Sequence, residues 1–562
     1  MVFYPQIIKD CGPIPNDVII PEWIFAARRQ DGAKVAFIDS VTDEHRTWVD
    51  VQKRCRLLAR GLAKQFNIDV TSSEATIFGI ITPNNIEVPI AVWGAQLAGG
   101  TVTGMNPAYT PSEIKYQSEV TQLTACYTCK DMLDVVKAGC PKNVKIILLD
   151  GVAEGCLNIN QLIKLGESSP EIPRIVLKPG ENRKRLAFLS FSSGTTGKPK
   201  GVKISHYNVI ANSIQNREFY FQGKPKQELA TSLALIPLFH IYGLVVIMHT
   251  EILVGNTVCM VPKFDLNNFL DCTEKYKISI MFLVPPLVVR LTKDPEVAKR
   301  GKPLKDVKMI FCGAAPLSAQ LQGELRKAVH PDAIVRQGYG MTETCTTATI
   351  VHDSDQWDGS VGVAIPNVSL KLVDQEGKEV TEYDKPGELW VRGPSVTSGY
   401  YKNQKATDEC YLPIENAEER FGDIWLRTGD EAVVRVSPKG FEHFFIVDRL
   451  KELIKVKGLQ VAPAELEAAL LDHPDIADAA VIGIPDDYSG ELPKGFVVLH
   501  AGVERNDATI KSICKHIEDT KARFKWIKPA NIEFLDVVPK SASGKILRKD
   551  LRLLGKKPEA KL

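Results

Sequence analysis

Through the first two-thirds of the chain, short apolar runs free of charge alternate with longer stretches whose apolar positions recur at helical spacing. Residues 76–82 (TIFGIIT) read as a buried strand. Asn84 or Asn85 then caps a predicted helix that runs through Gln96 and stops at Gly99-Gly100. Further strands are predicted at 144–149, 278–284, 307–312 and 333–337. Strands alternating with helices imply βαβ units, so the expected fold is α/β, built from sheets covered by helices. From about Ser360 the rhythm shortens to β runs separated by turns at 374–377 (DQEG) and 437–440 (SPKG), which marks a β-rich part. A distinct segment follows 447–458 (VDRLKELIKVKG). In it a helix begins near Pro463, a first-turn position that suits proline.

Length and composition narrow the class. A chain of 562 residues exceeds one core, and at roughly 150 residues per domain about three or four structural units are expected. Hydrophobic content of 44% with 25% charged residues is that of a globular protein. The 70 basic and 68 acidic residues leave a formal charge of +2, without the basic excess of a nucleic-acid binder. The most apolar stretches, 241–248 and 278–289, fall short of the ~20 residues a membrane span needs. The first soon meets His249 and Glu251, and the second contains Pro285 and Pro286. The opening MVFYPQIIKDCGPIP lacks a basic segment followed by an apolar run, so no secretory signal is read there. Twelve cysteines without regular spacing fit reduced thiols. The single CxxC, Cys126 with Cys129, has no second pair to complete a zinc site and is expected to be two buried thiols.

The strongest chemical signal is residues 191–202, FSSGTTGKPKGV. A P-loop requires G-x-x-x-x-G-K-[ST]. Aligned on Gly197-Lys198, this stretch has Ser192 where the first glycine belongs and Pro199 where the Mg-binding hydroxyl belongs. What remains is a run of hydroxyls and glycines, Ser192, Ser193, Gly194, Thr195, Thr196 and Gly197, followed by Lys198 and Lys200. Glycines let backbone approach a ligand, N–H and hydroxyl groups donate to phosphate oxygens, and lysines supply charge.

This loop closely resembles the signature of the adenylate-forming enzymes: acyl-CoA synthetases, firefly luciferases and the adenylation domains of peptide synthetases. Its expected partners follow in order. Residues 337–343 (QGYGMTE) resemble the family's second nucleotide motif, in which Gln337, Gly338, Tyr339 and Gly340 line the nucleotide. Tyr339 would stack on adenine, Thr342 would bond the α-phosphate and Glu343 would hold Mg²⁺, which favours one or two carboxylates plus phosphate oxygens. Residues 311–317 (FCGAAPL) resemble the turn that lines adenine and the acyl pocket, which assigns Ala314 to both and Phe311, Gly313 and Gly338 to the acyl group. Asp430 in TGD and Arg449 in VDRLKE match two ribose contacts, and Lys545 in PKSASGKILRKDL matches the catalytic lysine.

The resemblance implies two half-reactions, with ATP, Mg²⁺ and coenzyme A required. A carboxylate attacks the α-phosphorus of ATP to give an acyl adenylate and pyrophosphate, and a thiolate then displaces AMP. It also implies a large N-terminal domain, residues 1–448 with its β-rich part at about 360–448, and a small, mobile α+β domain over 449–562. Lys451 would be the hinge. Lys455 and Gln460 would act near the adenylate, whereas Lys457-Gly458 would line a pantetheine tunnel after rotation. Lys263 in VPKFD matches a position that contacts coenzyme A in plant ligases.

Residues 237–243, PLFHIYG, carry the acid-specificity signal. Amino-acid-activating domains hold an Asp at the position of His240, so His argues against that branch. FHIYG and DRLKELIKVKGLQVAPAELE instead resemble 4-coumarate:CoA ligase and its relatives, with His240 and Tyr242 facing the acyl group. Phe311 and Cys312 depart from the plant pattern, as do Thr344-Cys345-Thr346-Thr347. Phe311 implies a less polar pocket, suited to a small-molecule acid of the cinnamate, benzoate or phenylacetate type or of medium chain length. Ala560-Lys561-Leu562 resembles the peroxisomal S-K-L address and implies an import receptor as partner. Two other readings are a luciferase-like oxidative enzyme and a catalytically silent adenylate-binding protein. The intact Glu343, Asp430, Arg449 and Lys545 speak against the second.

Overall fold

A computed structural model describes residues 1–29, 31–72, 76–192, 199–221, 230–313, 317, 319–415, 422–457, 459–486, 488–541 and 544–554. These residues form four sheets of seven, nine, six and five strands. The seven-stranded sheet centres on Ile77–Ile81, which pairs in parallel with Thr101–Met105 and Ala125–Thr128. Its edge is the antiparallel pair Leu186–Ser192 and Lys200–Ser205. The nine-stranded sheet runs parallel through Ile334–Met341, Met309–Cys312, Ile280–Leu283, Thr231–Ala234 and Thr257–Met260. The six-stranded sheet is antiparallel and ends in the hairpin of Ile424–Val436 with Glu442–Arg449. A separate five-stranded sheet begins at Ile454–Val456 and buries its own apolar cluster, including Ile454, Leu466, Val481 and Ile513. The fold is therefore α/β with several sheets.

The charge-free runs became strands because both faces of the parallel sheets are covered. All five residues of Ile77–Ile81 and all four of Ile280–Leu283 are buried. The first predicted helix starts later than its polar residues suggested, at Val88, and ends at Leu97. Asn84 is not its cap. Its amide donates to the carbonyls of Ala234 and Ile236 and its oxygen accepts from Leu238 N–H, tying the end of one sheet to the other. The apolar stretch 241–248 is part of a ten-residue π-helix, Tyr242–Glu251, buried along nearly its whole length. Among the described residues no helix is long and apolar enough to cross a membrane. Cys126 is buried as expected, Cys129 is only half-buried, and all twelve thiols are unpaired.

Parallel sheets leave a crevice beyond the carboxyl ends of their strands, where the chain turns into its next connection. Here the ends of Leu186–Ser192, Ile280–Leu283, Met309–Cys312 and Ile334–Met341 face one cavity of ≈ 690 Å³. The β-rich sheet and the C-terminal unit close it.

Candidate active site

The cavity gathers residues from every part of the chain, including Ser192, His240, Tyr339, Glu343, Arg449 and Lys545. Each is placed by a local reason. In the strand Ile334–Met341 the register with Thr346–Ile350 shifts between Tyr339 and Gly340, where the two strands lie close together. Gly340 permits that approach, since a Cβ there would lie 1.4 Å from the Thr346 carbonyl oxygen. The turn Thr342–Thr344 follows at once and brings Thr342 and Glu343 to the cavity. The Glu343 carboxylate is 4% exposed and accepts a 2.8 Å hydrogen bond from Tyr400 Oη on one oxygen. Its other oxygen has no hydrogen bond among the described residues, and Glu343 lines the cavity. A single well-held carboxylate of this kind fits Mg²⁺, which takes most of its remaining ligands from phosphate and water. Lys200 lies beside it, Nζ 4.7 Å from the Tyr400 ring centroid.

Asp430 and Arg449 are directly opposite in the Ile424–Val436/Glu442–Arg449 hairpin. Arg449 Nε is 3.4 Å from Asp430 Oδ1, and Tyr339 Oη donates to Asp430 Oδ2 at 2.6 Å. Burial raises the Asp430 carboxyl, an effect that Arg449 and then Tyr339 oppose. Asp430 stands just behind the wall formed by Tyr339, Gly429 and Arg449 rather than in it.

Lys545 reaches the cavity from the C-terminal unit. A loop closed by Ser541 N–H on the Lys545 carbonyl (2.8 Å) and Lys545 N–H on Ser541 Oγ (3.1 Å) holds its backbone. Burial and the nearby Arg449 lower its pKa to about 8, against the pull of Asp430 and Glu343. His240 is a neutral imidazole, its pKa lowered to about 4 by burial and by Lys545. The site thus places the Lys545 cation beside an uncharged ring, with Arg449 and the Glu343 carboxylate near it, a geometry able to bring two anions together.

Two family models match the chain. The AMP-binding enzyme model covers residues 24–401, and its C-terminal-domain model covers residues 465–545. The chain belongs to the AMP-binding enzyme family. Its similarity to curated members spans nearly the full length. It is 34% identical to the acyl-CoA ligase AKT1 of Alternaria alternata, covering 96% of this chain and 94% of that one. It is equally 34% identical to 4-coumarate--CoA ligase 2 of Nicotiana tabacum, covering 96% and 95%. The crystal structure of the anthranilate CoA ligase AuaEII with anthranoyl-AMP shares the fold, with a TM-score of 0.83 at 23% identity over 97% of this chain and 99% of that one. The resemblance to the adenylate-forming enzymes, and to their 4-coumarate:CoA ligase branch, is therefore borne out.

Within this AMP-binding enzyme the motif residues divide. Ser192, Lys200, His240, Tyr242, Phe311, Gly313, Gly338, Tyr339, Gly340, Thr342, Glu343, Arg449, Lys451 and Lys545 all line the cavity. Ser193, Gly194, Thr195, Thr196, Gly197, Ala314, Gly458 and Ala560-Lys561-Leu562 lie outside the described residues. Gln337 is a correction. Strand alternation turns it away from the cavity, and its amide exchanges bonds with the Leu317 backbone, N–H to Oε1 at 3.0 Å. Lys455 and Gln460 are not brought to the cavity in this arrangement. They pair across the hairpin Ile454–Val456/Leu459–Val461 on its exposed side and do not line the cavity. Lys263 is exposed, and Lys457 packs its Nζ 4.4 Å from the Tyr488 ring centroid, both away from the cavity.

The low polarity expected from Phe311 holds for one wall only. Phe311 stacks on Phe282 (5.3 Å, 13°) and on Tyr220 (6.2 Å, 22°), forming a flat aromatic slab. Tyr242 closes it edge-on, its hydroxyl donating to the Phe311 carbonyl at 3.1 Å. Motif reading missed Arg336 and Glu251, which line the same cavity. A signal existed for both: Arg336 sits two positions before Gly338 on an alternating strand, and Glu251 interrupts an apolar run at a spacing that follows Tyr242, Val246 and Thr250.

Proposed function

We propose that this enzyme is an ATP-dependent carboxylic acid:CoA ligase that forms an acyl adenylate and pyrophosphate, then an acyl-CoA thioester and AMP. The observation that carries the reading is Lys545, delivered by the C-terminal unit into a cavity that also holds neutral His240, Glu343 and Arg449. In the first half-reaction the acid's carboxylate oxygen bonds to the α-phosphorus as the bond to pyrophosphate breaks. Both reactants are anions, so the protein's main task is to neutralise charge as it concentrates. Lys545 would bridge the carboxylate and α-phosphate, while Thr342 donates to the same phosphate. Mg²⁺ held at Glu343 would supply further charge on the phosphate oxygens. His240, uncharged at neutral pH, leaves the carboxylate free to be paired by Lys545. Arg449, which lines the cavity, would contact the ribose, with Asp430 behind the wall holding Arg449 and Tyr339.

Lys263 and Lys457, assigned to coenzyme A, lie away from the cavity in this arrangement. We read them as working after a rotation about Lys451, which would withdraw Lys545 and open the thioester-forming site. In that second half the thiolate sulfur bonds to the acyl carbon as AMP leaves.

The test is pyrophosphate release across cinnamic, benzoic, phenylacetic and medium-chain acids, with and without coenzyme A. Release that requires an acid, with thioester appearing only when coenzyme A is added, is the expected result. No release with any acid would overturn the ligase reading, and oxidation of the adenylate with light in place of thioester would favour the luciferase-like one. The lowered Lys545 pKa adds a pH signature. The ammonium form does the work, so kcat/KM for adenylation should hold below pH about 8 and fall by about tenfold per unit above it. A flat profile through pH about 9 would remove Lys545 from this role.

Peroxisomal residence, proposed from Ala560-Lys561-Leu562, is tested by a fluorescent reporter carrying the last ten residues. Punctate import that Leu562→Ala abolishes is expected, and diffuse signal in cells with working peroxisomes refutes it.

A further inference from the structure

We propose that Tyr400 is a positioning residue for the metal: its hydroxyl holds the Glu343 carboxylate in the orientation that leaves one oxygen free for Mg²⁺. The inference deepens the acid:CoA ligase reading and rests on the role that reading gives Glu343.

Tyr400 is 7% exposed and lines the cavity. Its Oη donates to Glu343 Oε1 at 2.8 Å, the one side-chain hydrogen bond Glu343 makes among the described residues. A phenol has a single proton to give, and an ionised carboxylate accepts it more strongly than a neutral oxygen does. The bond therefore decides which carboxylate oxygen is spent inside the protein and which is left over. It also stops rotation about the last torsion of the glutamate, which is otherwise broad and roughly two-fold.

The backbone around Tyr400 shows why a phenol arrives at this spot. Thr397 N–H donates to the Glu343 carbonyl oxygen at 2.9 Å, so residues 397–400 grip Glu343 by its backbone and by its side chain. The same segment is tied to the strand Lys200–Ser205, which follows the hydroxyl- and glycine-rich motif. Tyr401 N–H donates to the Gly201 carbonyl at 2.7 Å, and Lys203 N–H to the Gly399 carbonyl at 2.9 Å. The Tyr400 ring is held as well, with Tyr411 edge-on at 5.7 Å and Lys200 Nζ 4.7 Å from its centroid. One side chain thus joins the strand after the phosphate motif to the carboxylate assigned to the metal.

Mg²⁺ tolerates little departure from octahedral geometry and takes only one or two carboxylates, so the angle at which Glu343 is presented matters. Groups bonded to a ligating carboxylate orient it, and losing one typically costs about 10- to 100-fold in metal affinity. Tyr400 meets that description. A tyrosine that merely filled space would need its ring and not its hydroxyl.

Calorimetric titration of the enzyme with ATP, in excess Mg²⁺ and again in EDTA, tests this without acid, coenzyme A or turnover. The ratio of the two dissociation constants measures what the metal adds to nucleotide binding. Tyr400→Phe keeps the ring for Lys200 and Tyr411 and removes only the hydroxyl. It should lower that ratio by about 10-fold or more, with the EDTA titration unchanged. Glu343→Gln should lower the ratio too, and adding Tyr400→Phe to it should cost nothing further, because both act on one carboxylate. Tyr411→Phe is the control, since it deletes the neighbouring buried hydroxyl, bonded to Thr397 Oγ1 at 2.8 Å, and should leave the ratio at its wild-type value. A wild-type ratio in Tyr400→Phe, an equal fall in Tyr411→Phe, or a loss that adds in full to that of Glu343→Gln overturns the inference. A ratio of one or less in the wild type takes the metal away from Glu343 and overturns it as well. The ligase reading is decided separately, by the acid panel.

Discussion

Lys545→Ala should reduce acid-dependent pyrophosphate release by ~10²–10³-fold, roughly 3–4 kcal/mol of transition-state stabilisation. Thioester formation from supplied acyl adenylate should be nearly unaffected. The first half-reaction joins two anions in a cavity where Lys545 is the cation set beside neutral His240. The cost of removing it falls on the step in which negative charge concentrates. The second step needs a carbonyl and a thiolate brought together, and the proposed rotation about Lys451 would take Lys545 out of reach by then. Single-turnover assays of the two halves separate these cases. Equal loss in both would show that the substitution damages the fold or that Lys545 serves a general binding role.

Gly340→Ala should be the most damaging small substitution in the N-terminal part of the site. Its Cβ would sit 1.4 Å from the Thr346 carbonyl oxygen and 2.4 Å from the carbonyl carbon, so the two strands must part. Backbone cannot yield as a flexible side chain does, and the overpacking should destabilise the protein by ~1–3 kcal/mol. Catalysis should suffer more than stability. Tyr339 precedes Gly340 and Thr342 and Glu343 follow it, so a displacement of about 1 Å would carry the proposed adenine, phosphate and Mg²⁺ contacts with it, enough for a ~10²-fold loss. Thermal unfolding and pyrophosphate release measured together decide the matter. Wild-type activity with an unchanged melting temperature would mean that the strand pair relaxes freely.

The elements differ in how well they could be read. The buried strands were legible because parallel sheets covered on both faces leave runs such as 76–82 with no charge to carry outward. Helix boundaries were less so, since Asn84 has the chemistry of a cap but spends its amide on Ala234 and Ile236, partners about 150 residues away. The π-helix Tyr242–Glu251 was invisible as such, because a short apolar run reads alike for any buried helix.

By itself the sequence determined the family, and with it the roles expected of the residues at the cavity. The motifs within 191–202, 337–343 and 539–551 carry the family signature in adjacent residues, so they can be read without the fold. Only the tertiary structure decided which of those groups face the ligand. Strand alternation sent Gln337 to the Leu317 backbone and Arg336 to the cavity, and the exposed hairpin kept Lys455 and Gln460 out of it. It also decided the polarity of the acyl pocket. Arg336, Glu251, Tyr220 and Phe311 come from four separate elements, and only the packed fold brings them to one cavity.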